Sequence, residues 1–225
     1  MRDVAVVIPA GGVGTRLGRR TPKQFLALGA APILAATVRH FARHPRVNGI
    51  VVAAPAPHVE QTRRVLARTR GAPITVVVGG TTRQQSVSRG LAAVAGDAAL
   101  VVVHDAVRPF ITGALIDAVL DAARATGAAI CAMPIAETVK RVSGEMVTGT
   151  LDRSELVAVQ TPQAFRVDLL REAHDKARRD GFTGTDDAML VERLGQAVRV
   201  VPGLAENVKI TTPADLRRAR ARVRS

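Results

Sequence analysis

With 225 residues, 47% of them hydrophobic, the chain can bury one sizeable core and falls within the range of a single α/β domain. No apolar run approaches the ~20 residues a membrane-spanning helix needs, the first strand begins by Val4 and leaves no room for a signal or transit peptide, and the single cysteine, Cys131, excludes an internal disulfide and suits a reducing cytoplasm. The formal charge of +13 would suit a nucleic-acid binder, but no Trp, no Tyr and only five Phe leave almost no platform on which single strands could stack.

Val4-Ala5-Val6-Val7-Ile8 reads as a buried strand and runs into Pro9-Ala10-Gly11-Gly12-Val13-Gly14-Thr15-Arg16-Leu17-Gly18, followed by Pro22-Lys23-Gln24. Glycines at 11, 12 and 14 remove side chains where a parallel strand ends, so backbone N–H groups can approach an anion closely. Arg16, Arg19, Arg20 and Lys23 add positive charge around that cradle. The spacing excludes a P-loop, because no Lys follows Gly18. It also excludes the dinucleotide fingerprint, because Leu17 stands where the last glycine belongs and Ile50-Val51-Val52-Ala53-Ala54-Pro55 offers no acidic residue.

Further strand-like runs fall at 50–54, 74–78, 99–103, 129–135 and 198–201, with helical periodicity at 33–43, 58–70, 85–95, 113–126 and 167–180. Continuous rather than alternating apolar strands are buried on both faces. They predict a Rossmann-like α/β fold, a mostly parallel sheet flanked by helices. In such sheets a ligand lies beyond the carboxyl ends of the strands, so Gly11, Gly79-Gly80 and His104-Asp105 are expected to converge on one crevice. From Thr138 to about Gln160 the alternation fails. Thr138–Val142 and Glu145–Thr148 read as a β-hairpin turning at Ser143-Gly144, a projecting arm at about 138–160 on one domain spanning 1–225. An arm so poorly buried by its own chain is expected to contact a second subunit.

Asp105 directly follows Ala99-Leu100-Val101-Val102-Val103, a position from which a carboxylate can reach a divalent metal beside bound phosphates; pairing with Arg108 is the structural alternative. His104 is read as a packed histidine, and His40, His44, His58 and His174 are given no chemistry. Cys131 is read as a small buried hydrophobe. Gly79-Gly80-Thr81-Thr82-Arg83-Gln84-Gln85-Ser86 can close on a base or ribose through backbone groups and the Ser86 hydroxyl, with Thr81 or Thr82 capping the next helix. Thr185 is expected to cap the helix after Thr183-Gly184-Thr185-Asp186-Asp187 and to offer a phosphate site there. Lys209 stands before a last helix opened by Thr212, Pro213 and Asp215 in a capping box, and the basic run from Arg217 to Arg224 is its solvated end. No nucleophilic Ser or Cys motif, zinc spacing or general base is present. An inventory of Arg, Lys, glycine loops and one placed Asp suits phosphoryl or nucleotidyl transfer, where positioning and charge stabilisation dominate.

Pro9–Arg16 with Pro22-Lys23-Gln24 resembles the signature of pyrophosphorylase-type nucleotidyltransferases. His104-Asp105-Ala106-Val107-Arg108-Pro109, Asp152-Arg153, Gln160-Thr161-Pro162-Gln163, Thr185-Asp186 and Asn207-Val208-Lys209-Ile210-Thr211 resemble, in order, the 2-C-methyl-D-erythritol 4-phosphate cytidylyltransferase family. The resemblance implies CTP and a small polyol phosphate as substrates, with no nucleic acid or membrane as partner. It implies Arg16 and Lys23 as catalytic groups at the α-phosphate, and Ala10, Gly11, Gly12, Gly14, Gly80, Thr81, Ser86 and Asp105 around the nucleotide. It further implies Arg108, Arg153, Thr161, Thr185 and Lys209 around the acceptor, Mg²⁺ held partly by Asp105, and a homodimer in which Arg153 on the arm serves the partner's site. Thr81 and Glu206 depart from the acidic residue and the Asp common at those positions in the family. The nearest related pattern is that of ribitol 5-phosphate cytidylyltransferases; a non-catalytic nucleic-acid binder rests on charge alone.

Overall fold

A computed structural model describes residues 2–11 and 21–224. The expectations for Gly12, Gly14 and Arg16 lie outside the described residues. Strand β1 (Val4–Pro9) is apolar and buried along nearly its whole length. Beyond the glycine loop, β2 (Ala27–Leu28) and β3 (Ala31–Pro32) form a small antiparallel ladder. Strand and helix then alternate as the periodicity predicts, through α1 (Ile33–Ala42), β4 (Val47–Ala54), α2 (Val59–Leu66), β5 (Ile74–Val78), α3 (Arg83–Ala92), β6 (Leu100–Val103), α4 (Gly113–Thr126) and β7 (Ala128–Pro134). A hairpin of β8 (Lys140–Ser143) and β9 (Met146–Thr150) interrupts the rhythm. The chain finishes with β10 (Val157–Arg166), α5 (Val167–Arg179), α6 (Asp187–Glu192), β11 (Arg199–Pro202) and α7 (Pro213–Arg224).

The main sheet has seven strands in the order β11-β7-β10-β6-β1-β4-β5. Its pairs are parallel except those of β10, which runs antiparallel between β6 and β7. Side chains alternate between the two faces of each strand. Val4, Val6 and Ile8 pack with Phe41 of α1 and Leu115, Ile116 and Leu120 of α4. Ala5 and Val7 pack on the other face with Val87 and Leu91 of α3 and Leu170 of α5. Helices thus cover both faces, and the continuous apolar strands follow from that burial. A third cluster seats Leu216 and Ala219 of α7 against Leu26, Leu28 and Ile210, leaving Arg217 and Arg218 exposed as expected for the basic run.

Three expectations are corrected. First, β10 occupies residues 157–166, so the last residues assigned to the arm belong to the central sheet. Its signal is broken because the register passes from Val159↔Ala132 to Gln163↔Ile130, leaving Gln160, Thr161 and Pro162 opposite Cys131. The bulge carries Pro162, whose missing N–H is tolerated there and not in an unbroken ladder. The Cys131 thiol donates to Pro162 O across it (3.3 Å), and burial pushes the thiol's pKa up to about 12. Second, the hairpin turns at Gly144-Glu145 and not at Ser143-Gly144. Gly144 has φ +56°, the positive φ a type II′ turn requires at its first central residue. Third, the cap of α6 is Asp186, whose Oδ1 accepts from Met189 N at 3.0 Å; the Thr185 hydroxyl instead lies 3.7 Å from the Met189 sulfur.

The closeness of α3 to β1 depends on Gly90, where an added Cβ would sit 2.5 Å from Val7 Cγ1. Gly90→Ala gains about 1 kcal/mol in helix propensity but overpacks a filled layer at about 1–3 kcal/mol. We expect net destabilisation in urea denaturation, against a change within about 0.5 kcal/mol for Gly96→Ala, where nothing lies within 4 Å.

Candidate active site

The chain leaves β1 toward β4 and β5 and returns to place β6 on the other side of β1. Ligands of open α/β sheets bind beyond such a reversal of strand order. At this point a cavity of about 310 Å³ opens, lined by Pro9, Ala10 and Gly11 at the end of β1, by Gly80 to Arg83 and Ser86 after β5, and by Asp105, Ala106 and Val107 after β6. Lys23, Gln24 and Lys209 complete the wall. The volume lies in the range of small-molecule sites. The structure therefore brings together Ala10, Gly11, Lys23, Gly80, Thr81, Ser86, Asp105 and Lys209 of the predicted site residues.

Local hydrogen bonds shape each wall. Gln24 is almost wholly buried and donates to Ala10 O at 2.8 Å, which fastens the Pro-Lys-Gln step to the end of β1 and sets Lys23 at the cavity. Thr82 caps α3 by accepting from Gln85 N at 3.1 Å. The Ser86 hydroxyl accepts from Gly80 N at 3.1 Å and donates to Thr82 O at 2.9 Å. Ser86 therefore holds the Gly80 turn in shape. A Cβ on Gly80 would lie 2.2 Å from Gln85 Cβ, so the turn admits only glycine. Gln85 Oε1 accepts from both the N–H (3.0 Å) and the hydroxyl (2.7 Å) of Thr81.

Asp105 is 7% exposed and carries three cations: Lys209 Nζ at 3.0 Å and Arg108 Nε at 3.1 Å on Oδ2, and Arg83 Nε at 3.7 Å from Oδ1. Burial alone would raise its pKa, but Lys209, Arg83 and Arg108 together hold the carboxyl well below the usual carboxylate range. The pairing with Arg108 read from the sequence is present, and Arg108 also donates to Asn207 O at 2.7 Å. Arg108 thus stands behind Asp105, outside the cavity wall.

The layer beneath Asp105 is a hydrogen-bonded set. Fully buried His104 has its pKa lowered to about 4 by burial, so its ring is neutral. Nε2 lies 3.1 Å from Arg108 O, which can only accept, so Nε2 carries the proton. Nδ1 then accepts from the Thr161 hydroxyl at 3.1 Å, and Thr161 Oγ1 accepts from Asp105 N at 3.1 Å. Asn207 donates to Thr161 O at 2.7 Å and to Gln160 Oε1 at 3.2 Å. Thr161, read from the sequence as an acceptor-site residue, is placed here as support for Asp105. His104 is the packed histidine expected.

Sequence reading missed a tie that flanks the cavity. Arg83 Nη1 donates to Asp187 Oδ2 at 2.7 Å, and the other oxygen of the fully buried Asp187 accepts from His174 Nε2 at 3.0 Å. The partners lie 104 positions apart, and each opens its helix, where a charged residue gives no sign of a distant partner. Arg153 sits on an exposed turn, Arg153–Glu155, where its guanidinium donates to Ala136 O. Arg153 and Thr185 do not line the cavity. Glu206 lines a separate cavity with Phe110, Arg218 and Arg222, so that departure does not touch this site.

The family model for 2-C-methyl-D-erythritol 4-phosphate cytidylyltransferase matches residues 4–225. The chain belongs to this family. It is 48% identical to the family's protein in Solibacter usitatus, with 95% of this chain and 92% of that one covered. It is 47% identical to that in Acidobacterium capsulatum, covering 95% and 94%. Among solved structures it is similar to the 2-C-methyl-D-erythritol 4-phosphate cytidylyltransferase of Thermus thermophilus, at 38% identity and TM-score 0.82 over 99% of this chain and 100% of that one. It is also similar to the 4-diphosphocytidyl-2C-methyl-D-erythritol synthase of Anaerococcus prevotii, at 31% identity and TM-score 0.87, covering 99% and 96%. The mostly parallel sheet expected from the sequence is the sheet these structures share.

Because the folded-state pKa of Asp105 lies below its unfolded value of 3.8, its ion pairs stabilise the fold fully above about pH 4, and that contribution is lost as pH falls further. The stability gap between the native chain and Asp105→Asn, measured by urea denaturation, should be constant from pH 7 to 5 and shrink steadily below 4.

Proposed function

We propose that this chain transfers CMP from CTP to 2-C-methyl-D-erythritol 4-phosphate, forming 4-diphosphocytidyl-2-C-methyl-D-erythritol and pyrophosphate in isoprenoid biosynthesis. The observation that carries the reading is one cavity, in a chain of this family, walled by two glycine turns, Lys23, Lys209 and a charge-compensated Asp105. An acceptor phosphate oxygen attacks the α-phosphorus of CTP, the bond to the β-phosphate oxygen breaks, and the electron pair leaves with pyrophosphate. The attacking oxygen is already anionic, so no general base is required, in keeping with the neutral, fully occupied His104.

Ala10, Gly11 and Gly80 offer backbone groups to the base and ribose. The Thr81 hydroxyl proton is taken by Gln85, so its oxygen faces the ribose as an acceptor, the role an acidic residue would otherwise fill. Lys23 and Arg16, the latter from the glycine-rich segment after β1, stabilise negative charge at the α-phosphate. For Mg²⁺ the cavity supplies one carboxylate, and no cluster of three His, Cys, Asp or Glu exists among the described residues. That donor set fits a cation that takes most of its ligands from phosphates and water, as Mg²⁺ does. Asp105 would hold it through Oδ1, the oxygen less engaged by cations, and the bound ion would neutralise charge on the triphosphate.

The hairpin supports a homodimer. Val142, Met146 and Val147 are 61%, 73% and 60% exposed, an apolar surface that a second copy would cover. In that assembly Arg153 at the base of the arm serves the partner's acceptor site, and Thr185 and Lys209 of each chain face the same acceptor. The lone, buried Cys131 favours a cytoplasmic setting, and no helix among the described residues is long and apolar enough to cross a membrane.

The test is pyrophosphate release from CTP and Mg²⁺ with either acceptor. Turnover with methylerythritol phosphate is expected; turnover with ribitol 5-phosphate alone would overturn the acceptor assignment. Lys23→Ala should cut kcat by roughly 10³-fold while the CTP Kd from calorimetry changes by less than tenfold. Equal losses in both would make Lys23 an anchor for CTP and not a charge-stabilising group.

A further inference from the structure

The reaction as drawn gives no task to Arg83, yet Arg83 lines the cavity beside Asp105. It is the first residue of α3, directly after the Gly80 turn, and its side chain is 29% exposed at the cavity wall. Through Nη1 it holds Asp187, the first residue of α6, and through Nε it faces Asp105 Oδ1. The neighbouring Gln84 accepts from Gly184 N at 2.9 Å and donates to Phe182 O at 3.1 Å, and Gln163 donates to Asp186 Oδ2 at 2.7 Å. The segment bearing Thr185 is thus fastened to the segment that forms the nucleotide turn.

A purely structural contact between these helices has no need of charge. A fully buried carboxylate costs several kcal/mol unless paired, and well-packed apolar residues commonly serve as well or better. Here the buried charge is compensated by a guanidinium that reaches the cavity. A guanidinium presents its donors in a rigid plane. With one donor fixed on Asp187, and Asp187 itself fixed by His174, the plane that faces Asp105 is fixed too.

We propose that Arg83 is a positioning residue: anchored by Asp187, it sets the orientation of the Asp105 carboxylate and the spacing between the nucleotide turn and the segment around Thr185. The role rests on the cytidylyltransferase reading and is tested beside it. Arg83→Lys keeps a cation for Asp187 but cannot span both carboxylates. It should retain its melting temperature within a few degrees and its CTP Kd within about threefold, while kcat falls about 10–100-fold, the scale of a 1 Å misplacement. Arg83→Met strands Asp187 and should melt early. Arg83→Met with Asp187→Asn removes both charges and should recover melting temperature without recovering kcat.

Full kcat in Arg83→Lys, or in the stable double variant, overturns the proposal, and so does a kcat that recovers together with the melting temperature. An inactive native chain would defeat the cytidylyltransferase reading instead. The Asp105 carboxyl carbon resonance would still test Arg83 in that case: it should move in Arg83→Lys, and an unmoved resonance overturns the positioning role.

Discussion

A carboxylate taken out of water has to be compensated where it lies, and the arrangement of this site follows from compensating Asp105. Its three cations come from three separate segments: Arg83 opens α3, Arg108 follows β6, and Lys209 precedes α7. Two buried residues hold these segments, Asp187 the one carrying Arg83, and Asn207 both those carrying Arg108 and Lys209. The walls of the cavity are therefore located by charge as much as by apolar packing. Two of those cations, Arg83 and Lys209, also line the cavity, so an anion entering it would meet surroundings already arranged for negative charge. This is preorganisation of the kind that dominates phosphoryl transfer.

The fold was largely legible because its strands are apolar on both faces. Runs at 4–8, 99–103 and 129–135 have little choice but to lie inside a covered sheet, and they do. β10 was hidden by its own bulge: Gln160, Thr161 and Pro162 break the apolar run in the middle of a strand that pairs on both sides. Helix periodicity located α1 to α5, while the turn at Gly144 and the cap at Asp186 were each one residue from their predicted places. Such details depend on individual dihedrals and donors that hydrophobic pattern does not report.

For the site, residues adjacent in sequence to strand ends were found, because topology alone carries Ala10, Gly11, Gly80 and Asp105 to the same crevice. Lys209 was found as a cation before a helix, and its partner was not. Pairings between distant residues were invisible: Arg83 and Asp187 are separated by 104 positions, Gln160 and Asn207 by 47. Thr161 shows the opposite limit. Its place in a recognisable motif suggested contact with substrate, whereas its hydroxyl is fully engaged between His104 and Asp105.

The insertion of β10 also bears on how the chain reaches its native state. β6 and β7 are consecutive strands that never touch along their backbones; the strand between them arrives some sixty residues after β6, beyond the hairpin. As the polypeptide emerges from the ribosome, both strands wait with unpaired edges, and unpaired edges invite association with other chains. The sheet closes only when residues 157–166 slot in from the opposite direction, drawing together sequence that is far apart, which is slow by nature. Nascent chains stalled short of that strand would be natural clients for chaperones, and the part of the protein that commits it to its final shape is then the part synthesised just after the arm.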